Sequence, residues 1–386
     1  MPSIMTVYGT RPEAIKMAPF IAALDTSDDF DVIPAVTGQH REMLDQVNRV
    51  FGITPHVDFD IFEHGMSLST VTEKTLARLT PAIREFRPDA LAVQGDTTSA
   101  LAAALAGFYE QIPVVHLEAG LRTDSIASPF PEEGNRRLVT QITALHLAPT
   151  AASRENLLRS GADERAIAVT GNTVIDALLT TAARDDLPIE DAAFARAHAD
   201  PRRMVLVTSH RRESWGDPMR RTAEALRRLA TRHADTLFVF PLHANPAVRE
   251  IFRPVLEGFG NVVLTEPLSY TDLCQALDRC HLVITDSGGI QEEAPALGKP
   301  VVVLRDDTER PEAIDAGTAV LVGTDTDLIE RTTDRLLTDP DAYAAMALAR
   351  NPFGDGRAAE RSVAALRSHF GIGSRLPDFT YEGVSA

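Results

Sequence analysis

Three acidic clusters lie in the first half of the chain: Asp96 in VQGDTTSA and Glu118 in VVHLEAGLRT, each ending a short apolar run, and Glu132 with Glu133 in the Pro-flanked loop PFPEEGNRR. Carboxylates gathered in this way suit general acid–base chemistry, in which one group takes a proton that another returns. Asp96 alone would serve equally well as a cap for a helix starting at Thr97 or Thr98. Three acidic clusters on one sheet edge are harder to assign to capping, because crowded like charges destabilise a fold and raise some of their pKa values. Asp96, Glu118 and Glu132 are therefore read as a catalytic set.

A second group of residues suits an anion. In YGTRPEAIKMAP, Gly9 permits a tight turn, Pro12 fits the start of a helix, and Arg11 and Lys16 bring two cations to that start. VTSHRRESWG places His210 after another apolar run with Arg211 and Arg212 behind it, which suits phosphate contact or proton transfer. His243 in FPLHANPAVRE is placed similarly with weaker neighbours, and a plain loop role fits it as well. TDSGGIQEEAPALGKP offers the hydroxyl of Ser287 and the amides of Gly288 and Gly289 to a diphosphate. The two acids that follow, Glu292 and Glu293, sit about 100° apart on a helix, so one can face a ligand while its neighbour is solvated or caps. Arg310 is available to phosphate or carboxylate. Lys299, at the far end of that helix, needs no more than the negative helix terminus.

These residues must be held by a scaffold. Short β-branched runs alternate with amphipathic stretches, the pattern of parallel sheets covered by helices. SIMTVYG, DVIPAVTG, ALAVQG, IPVVHLEAG and ALHLAP read as strands in the first half, with helices over 12–24 and 97–109. RMVLVTSH, TLFVFPLH, NVVLTEP, LVITDSGG, PVVVLRD and AVLVGTD read as strands in the second. Each strand ends in Gly, Pro or a polar residue, so the polar residues gather at the carboxyl ends, where open α/β sheets bind ligands. The sequence thus predicts two Rossmann-like α/β domains facing across a cleft, residues 1–172 and 173–356. The polar stretch AARDDLPIEDAAFARAHADPRR reads as a loose connector, and a helix over 357–370 is expected to pack back on the first domain.

Composition removes several classes. A formal charge of -17 argues against a general nucleic-acid or acidic-membrane surface, and with only three lysines (Lys16, Lys74, Lys299) arginine must supply nearly all positive charge. No apolar stretch is long enough for a membrane span and no signal peptide is visible, so a cytoplasmic protein is expected. Cys274 and Cys280 read as buried small hydrophobes. The chain has neither a P-loop nor a GxGxxG turn after its first strand, which disfavours ATPase and nicotinamide chemistry, and no metal-ligand spacing.

Taken together, GTRPEAIKMAP, GDTTSA, HLEAGLRT, PFPEEGNRR, SHRRESWG and TDSGGIQEEAPALGKPVVVLRDDTERPEA resemble the non-hydrolysing UDP-N-acetylglucosamine 2-epimerases over about residues 4–325. The resemblance implies the glycosyltransferase B-type fold and the cofactor-free interconversion of UDP-N-acetylglucosamine and UDP-N-acetylmannosamine. The implied chemistry is elimination of UDP to 2-acetamidoglucal and re-addition. On matching positions it makes Asp96, Glu118, Glu132 and His210 catalytic. It gives Arg11, Lys16, Ser287, Gly288, Gly289, Glu293 and Arg310 to the nucleotide sugar, with Glu293 on the ribose. A homodimer is implied as well. EPLSYTDLC offers Leu268 and Leu273 where many members hold uracil with Gln and an aromatic residue, which would leave uracil to backbone groups. Gln39 of QHREM and His243 fit the positions where bacterial members bind a second UDP-N-acetylglucosamine as activator. Glu42 replaces a further Gln there, and HGMSLS lacks an expected arginine. The alternatives are a hydrolysing epimerase releasing UDP and N-acetylmannosamine, a UDP-sugar glycosyltransferase on the same fold, and a nucleotide-sugar binding protein without catalysis.

Overall fold

The computed structural model describes residues 1–38, 41–61 and 65–381. The chain divides into two compact units, the first comprising Met1–Ala177 with Phe353–Thr380 and the second Leu178–Pro352 with Tyr381. The division falls inside the helix Thr173–Ala182, later than the 172 read from the sequence. Its first turns stay with the first unit because Thr173 donates to the carbonyl of Lys16 at 2.6 Å. Asp176 also accepts the amides of Ala358 and Ala359 at 3.2 and 2.8 Å, which joins the helix Ala358–His369 to this unit.

The first unit is built on seven parallel strands: β1 Ser3–Tyr8, β2 Asp31–Val36, β3 Val57–Asp58, β4 Ala90–Gln94, β5 Val114–Leu117, β6 Leu145–Ala148 and β7 Ile167–Val169. Their order is β3-β2-β1-β4-β5-β6-β7. Strands covered on both faces must be apolar throughout, and β4 and β5 are buried at every residue. The helix Thr98–Tyr109 packs closely through Ala100, Ala103, Ala104 and Ala106. At Gly107 a Cβ would meet Val114 at 3.3 Å and Leu91 at 3.5 Å, so only glycine lets the helix approach this far.

The second unit has six parallel strands: β8 Arg203–Thr208, β9 Thr236–Pro241, β10 Val262–Thr265, β11 Leu282–Thr285, β12 Val301–Val303 and β13 Ala319–Leu321, in the order β10-β9-β8-β11-β12-β13. Phe240 and Phe252 meet edge-to-face at 4.8 Å in its core, among Val205, Phe238, Leu282 and Ile284. Burying such a side chain contributes about 1.5–3 kcal/mol.

The stretch expected to be a loose connector is ordered. Asp191 caps a helix over Ala192–His198, whose Phe194 is fully buried, and the buried carboxylate of Asp272 accepts the amides of Glu190 and Asp191 at 3.0 and 2.9 Å. Its seven residues are too few to show a helical period, which is why the pattern escaped notice. Cys274 and Cys280 are buried and unpaired with each other, and burial pushes the Cys280 thiol up to about 12. Among the described residues no helix is long and apolar enough to cross a membrane.

Candidate active site

In each sheet the strand order reverses once, between β1 and β4 in the first unit and between β8 and β11 in the second. The loops leaving those four strands carry most of the candidates, because at a reversal the following helices diverge and leave a crevice at the carboxyl edge.

In the first unit β1 runs into Gly9, and Thr10 caps the helix Arg11–Asp25, so Arg11 opens that helix and Lys16 lies one turn further in. The Lys16 ammonium meets Glu118 Oε1 at 2.5 Å, so this cation, read from the sequence as an anion ligand, engages a carboxylate of the chain itself. Glu118 also accepts from Gln94 at 2.5 Å and from Asn172 at 2.9 Å. Its backbone has φ of 59°, a left-handed conformation that costs a residue with a side chain on the order of 1–3 kcal/mol. Three donors and the neighbouring strands hold it there.

Asp96 does not cap the following helix. Thr97 does, accepting the amide of Ala100, and the Asp96 carboxylate instead receives Arg136 through Nε at 2.8 Å and Nη2 at 2.7 Å. Asn135 holds the Asp96 carbonyl at 2.8 Å. Glu132 is the first residue of the helix Glu132–Ile142 and is half-buried. Its neighbour Glu133 is fully buried, accepting from Arg137 at 2.7 Å, from the Thr123 amide at 3.1 Å and from Arg136 at 3.4 Å. Of that acid pair, Glu133 fixes the loop and Glu132 is the one left to solvent. The like-charge crowding anticipated from the sequence is answered by Lys16 and Arg136.

Two histidines lie side by side beneath this cluster, His116 on β5 against His146 on β6. His116 donates through Nε2 to the Gly95 carbonyl at 2.7 Å. Burial lowers their pKa values to about 4 and about 3, so both rings are neutral near pH 7.

In the second unit the Asp286 carboxylate, at the end of β11, gathers the β8 loop: Oδ2 accepts the amides of His210 and Arg211 at 2.7 and 2.9 Å and the Ser209 hydroxyl at 3.1 Å. Its other oxygen lies 3.1 Å from Nδ1 of His210. Burial works against charge on Asp286, but the His210 ring and these amides outweigh it and hold the carboxyl below its ordinary value. The exposed His243 ring stacks on His210 with centroids 5.8 Å apart. Gln39 lies outside the described residues.

Ser287 starts the helix Gly288–Ala296 without a side-chain cap, leaving the first-turn amides open. A Cβ on Gly288 would lie 3.5 Å from Arg211 Nη2 and 3.6 Å from Arg310 Cζ, so two guanidinium groups flank this helix start. Glu293 is half-buried, its carboxylate beside Gly289. Glu292 is neither solvated nor a cap: it is buried and pairs with Arg310 Nε at 2.7 Å, because its position faces the body of the unit and needs a cation there. A buried carboxylate thus sets the guanidinium plane at the helix start.

The description "UDP-N-acetylglucosamine 2-epimerase" belongs to a family model that matches residues 22–367 of the chain. A UDP-N-acetylglucosamine 2-epimerase of Yersinia pestis is 50% identical over 370 residues, 95% of this chain and 98% of its own length. The chain belongs to the UDP-N-acetylglucosamine 2-epimerase family. Two solved structures have the same glycosyltransferase B-type architecture. The Neisseria meningitidis UDP-GlcNAc 2-epimerase bound to UDP-GlcNAc is 42% identical, with a TM-score of 0.85 over 95% of this chain and 100% of that one. The S. aureus protein MnaA, solved with UDP, is 41% identical with a TM-score of 0.87 over 98% and 100%.

For this member of the 2-epimerase family, sequence reasoning missed Gln94, Asn172, Arg136 and Asp286 as supports of the candidate groups. Three of them lie within quoted motifs, and Asp286 follows a strand just as Asp96 does. Asn172 carries no such signal, since only the tertiary fold brings it to Glu118. Among the described residues no group of three or more His, Cys, Asp or Glu is placed to hold a metal ion.

Proposed function

We propose that the chain is a non-hydrolysing epimerase that interconverts UDP-N-acetylglucosamine and UDP-N-acetylmannosamine. The observation that carries this reading is the pair Asp96 and Glu118 at adjacent strand ends, each held by a cation, Arg136 and Lys16. A reaction that removes a proton from one face of a carbon and returns it to the other needs more than one fixed acid–base group, whereas sugar transfer to an acceptor needs only one.

In the proposed sequence a base takes the C2 proton, the C–H electron pair forms the C1–C2 double bond, and the C1–O bond breaks with its electrons leaving on UDP. Protonation of the resulting 2-acetamidoglucal at C2 from the opposite face and attack of UDP at C1 complete the turnover. Asp96, Glu118, Glu132 and His210 supply the proton transfers. The open amides after Ser287, with Arg310 and Arg211, stabilise the diphosphate as it leaves. Glu293 takes the ribose hydroxyls, and Arg11 lies with the nucleotide sugar. The first unit, ending with its returning helix, serves the sugar and the second holds UDP. The family resemblance carries this reading to a cytoplasmic homodimer supplying N-acetylmannosamine units for surface polysaccharide, with a second UDP-N-acetylglucosamine as an activator near His243.

The test is incubation with UDP-N-acetylglucosamine alone in deuterated water. Deuterium at C2 of both epimers is expected, without lasting accumulation of free UDP. Release of UDP and N-acetylmannosamine would point to the hydrolysing reaction. Turnover only with an added acceptor would point to a glycosyltransferase, and tight UDP binding without exchange to a binding protein. Trp215, the single tryptophan, lies in the loop after His210 with Arg212 6.0 Å from its ring centroid, so UDP titration should change its fluorescence in a saturable manner. Unchanged emission at saturating UDP would count against this loop as part of the nucleotide site.

A further inference from the structure

We propose that Glu13 is a positioning residue for the reaction: its carboxylate locks the β1 turn, which leads into Arg11 and Lys16, to the β4 turn, which carries Asp96. The inference rests on the reading of Asp96 and Glu118 as reacting groups. At first sight Glu13 is one half of a capping box, paired with Thr10. That role requires a single bond, from the Thr10 amide to the acid, and is ordinarily met at a solvated helix start.

Glu13 does more than the box requires. Oε2 accepts two amides, Gly9 at 2.8 Å and Thr10 at 2.6 Å. Oε1 accepts the hydroxyl of Thr97 at 2.5 Å, from a loop 84 residues away. The residue is 3% exposed, and burial drives its carboxyl above the ordinary value even against these hydrogen bonds. Taking a carboxyl group out of water is unfavourable unless its donors are all in place, so its oxygens hold both turns in one geometry.

Two consequences follow for the site. Thr97 directly follows Asp96 and caps the helix Thr98–Tyr109, so the bond to Glu13 fixes the residue next to the Asp96 backbone while Arg136 fixes its carboxylate from the other side. Lys16 stands one turn after Glu13 on the same helix, so the contact that anchors this helix start against β4 also sets the Lys16–Glu118 pair. Loss of Glu13 would loosen both candidate groups together.

The experiment compares C2 proton exchange, kcat and KM, with far-UV circular dichroism and thermal unfolding, for wild type, Glu13→Ala, Glu13→Gln and Thr97→Ala. Glu13→Ala is expected to lower kcat by about 10- to 100-fold, the scale of an ångström-sized misplacement, with KM changed less because the diphosphate is held by the second unit's residues. Glu13→Gln should recover most of that loss, since its carbonyl can accept both amides and its NH2 can donate to the Thr97 hydroxyl. Thr97→Ala removes only the bond between the turns and the cap, and should lower kcat about 5-fold or more in a folded protein. Wild-type kcat in Glu13→Ala, or a loss that merely tracks the unfolded fraction, overturns the inference. If Glu13→Ala does not fold, Thr97→Ala decides, and wild-type kcat there overturns it. Absence of exchange in the wild type overturns the functional reading and this inference with it, whereas exchange in wild type and Glu13→Ala alike overturns the inference alone.

Discussion

Glu118→Gln is expected to lower the rate of C2 proton exchange at least about 100-fold while leaving the fold intact, the usual scale for a lost acid–base group. The carboxylate takes three donors, from Lys16, Gln94 and Asn172. An amide of the same shape keeps one acceptor oxygen and turns its NH2 toward donors, so it loses both the ionisable group and the geometry. Asp96→Asn is a cleaner substitution. Its remaining oxygen can still receive the Arg136 guanidinium, which approaches Oδ2 alone. A rate loss of similar size in Asp96→Asn would therefore report proton transfer rather than disorder. His210→Ala removes a ring held by Asp286 and is expected to fall in the same range. Exchange at C2 is measured by NMR in deuterated water beside circular dichroism of each variant. Near-normal rates in all three variants would refute the assignment of the site.

The eleven strands read from sequence all form, because each is an apolar run that ends in Gly, Pro or a polar residue. The two that escaped, β3 and β7, have two and three residues, and neither stands in an extended apolar run such as PVVVLRD, which marks the equally short β12. Most of the candidate groups were legible for a related reason: they follow strands, and strand ends are marked by a change from apolar to polar. What was not legible was pairing. Glu292 and Glu293 are adjacent and alike, and only the fold shows that Arg310 claims the first. Glu132 and Glu133 differ in the same way, since the arginines that bury Glu133 are positioned by a helix that its own neighbours begin. Asp96 was compatible with capping until Thr97 took that role. Local pattern announces that a polar group stands at a strand end or loop, whereas which partner it takes is decided by the fold, whether that partner is a turn away, as for Glu133, or forty residues away, as for Asp96.

Acidification should weaken the first unit through His116 and His146. Both rings are buried with folded pKa values of about 4 and about 3, below the ordinary 6.5 that applies when the chain unfolds. A base whose folded pKa is depressed contributes stability that is fully present above the unfolded value and is lost as pH falls toward the folded one. At pH 5 the unfolded rings bind protons that the folded rings refuse, and each histidine then weakens folding by about 2 kcal/mol, at 1.36 kcal/mol per unit of pH below 6.5. The groups nearest the two rings in charge are Arg122, Asp96 and Glu118, with each histidine facing the other. Two buried acids act in the opposite sense. Burial raises Asp176 to about 6 and lifts Glu13 above its ordinary value, so their protonation on acidification favours the folded state. Asp176 returns about 1.4 kcal/mol at pH 5. The total is thus a partial cancellation, and a variant separates the contributions. His146→Met removes one ionisation at similar volume, and among the described residues no hydrogen-bond partner of His146 Nδ1 is lost with it. Denaturant unfolding followed by circular dichroism should show His146→Met losing about 2 kcal/mol less than wild type between pH 7 and pH 5. Parallel losses in the two proteins would mean that the folded state admits a proton at His146, and that this strand pair is open to water.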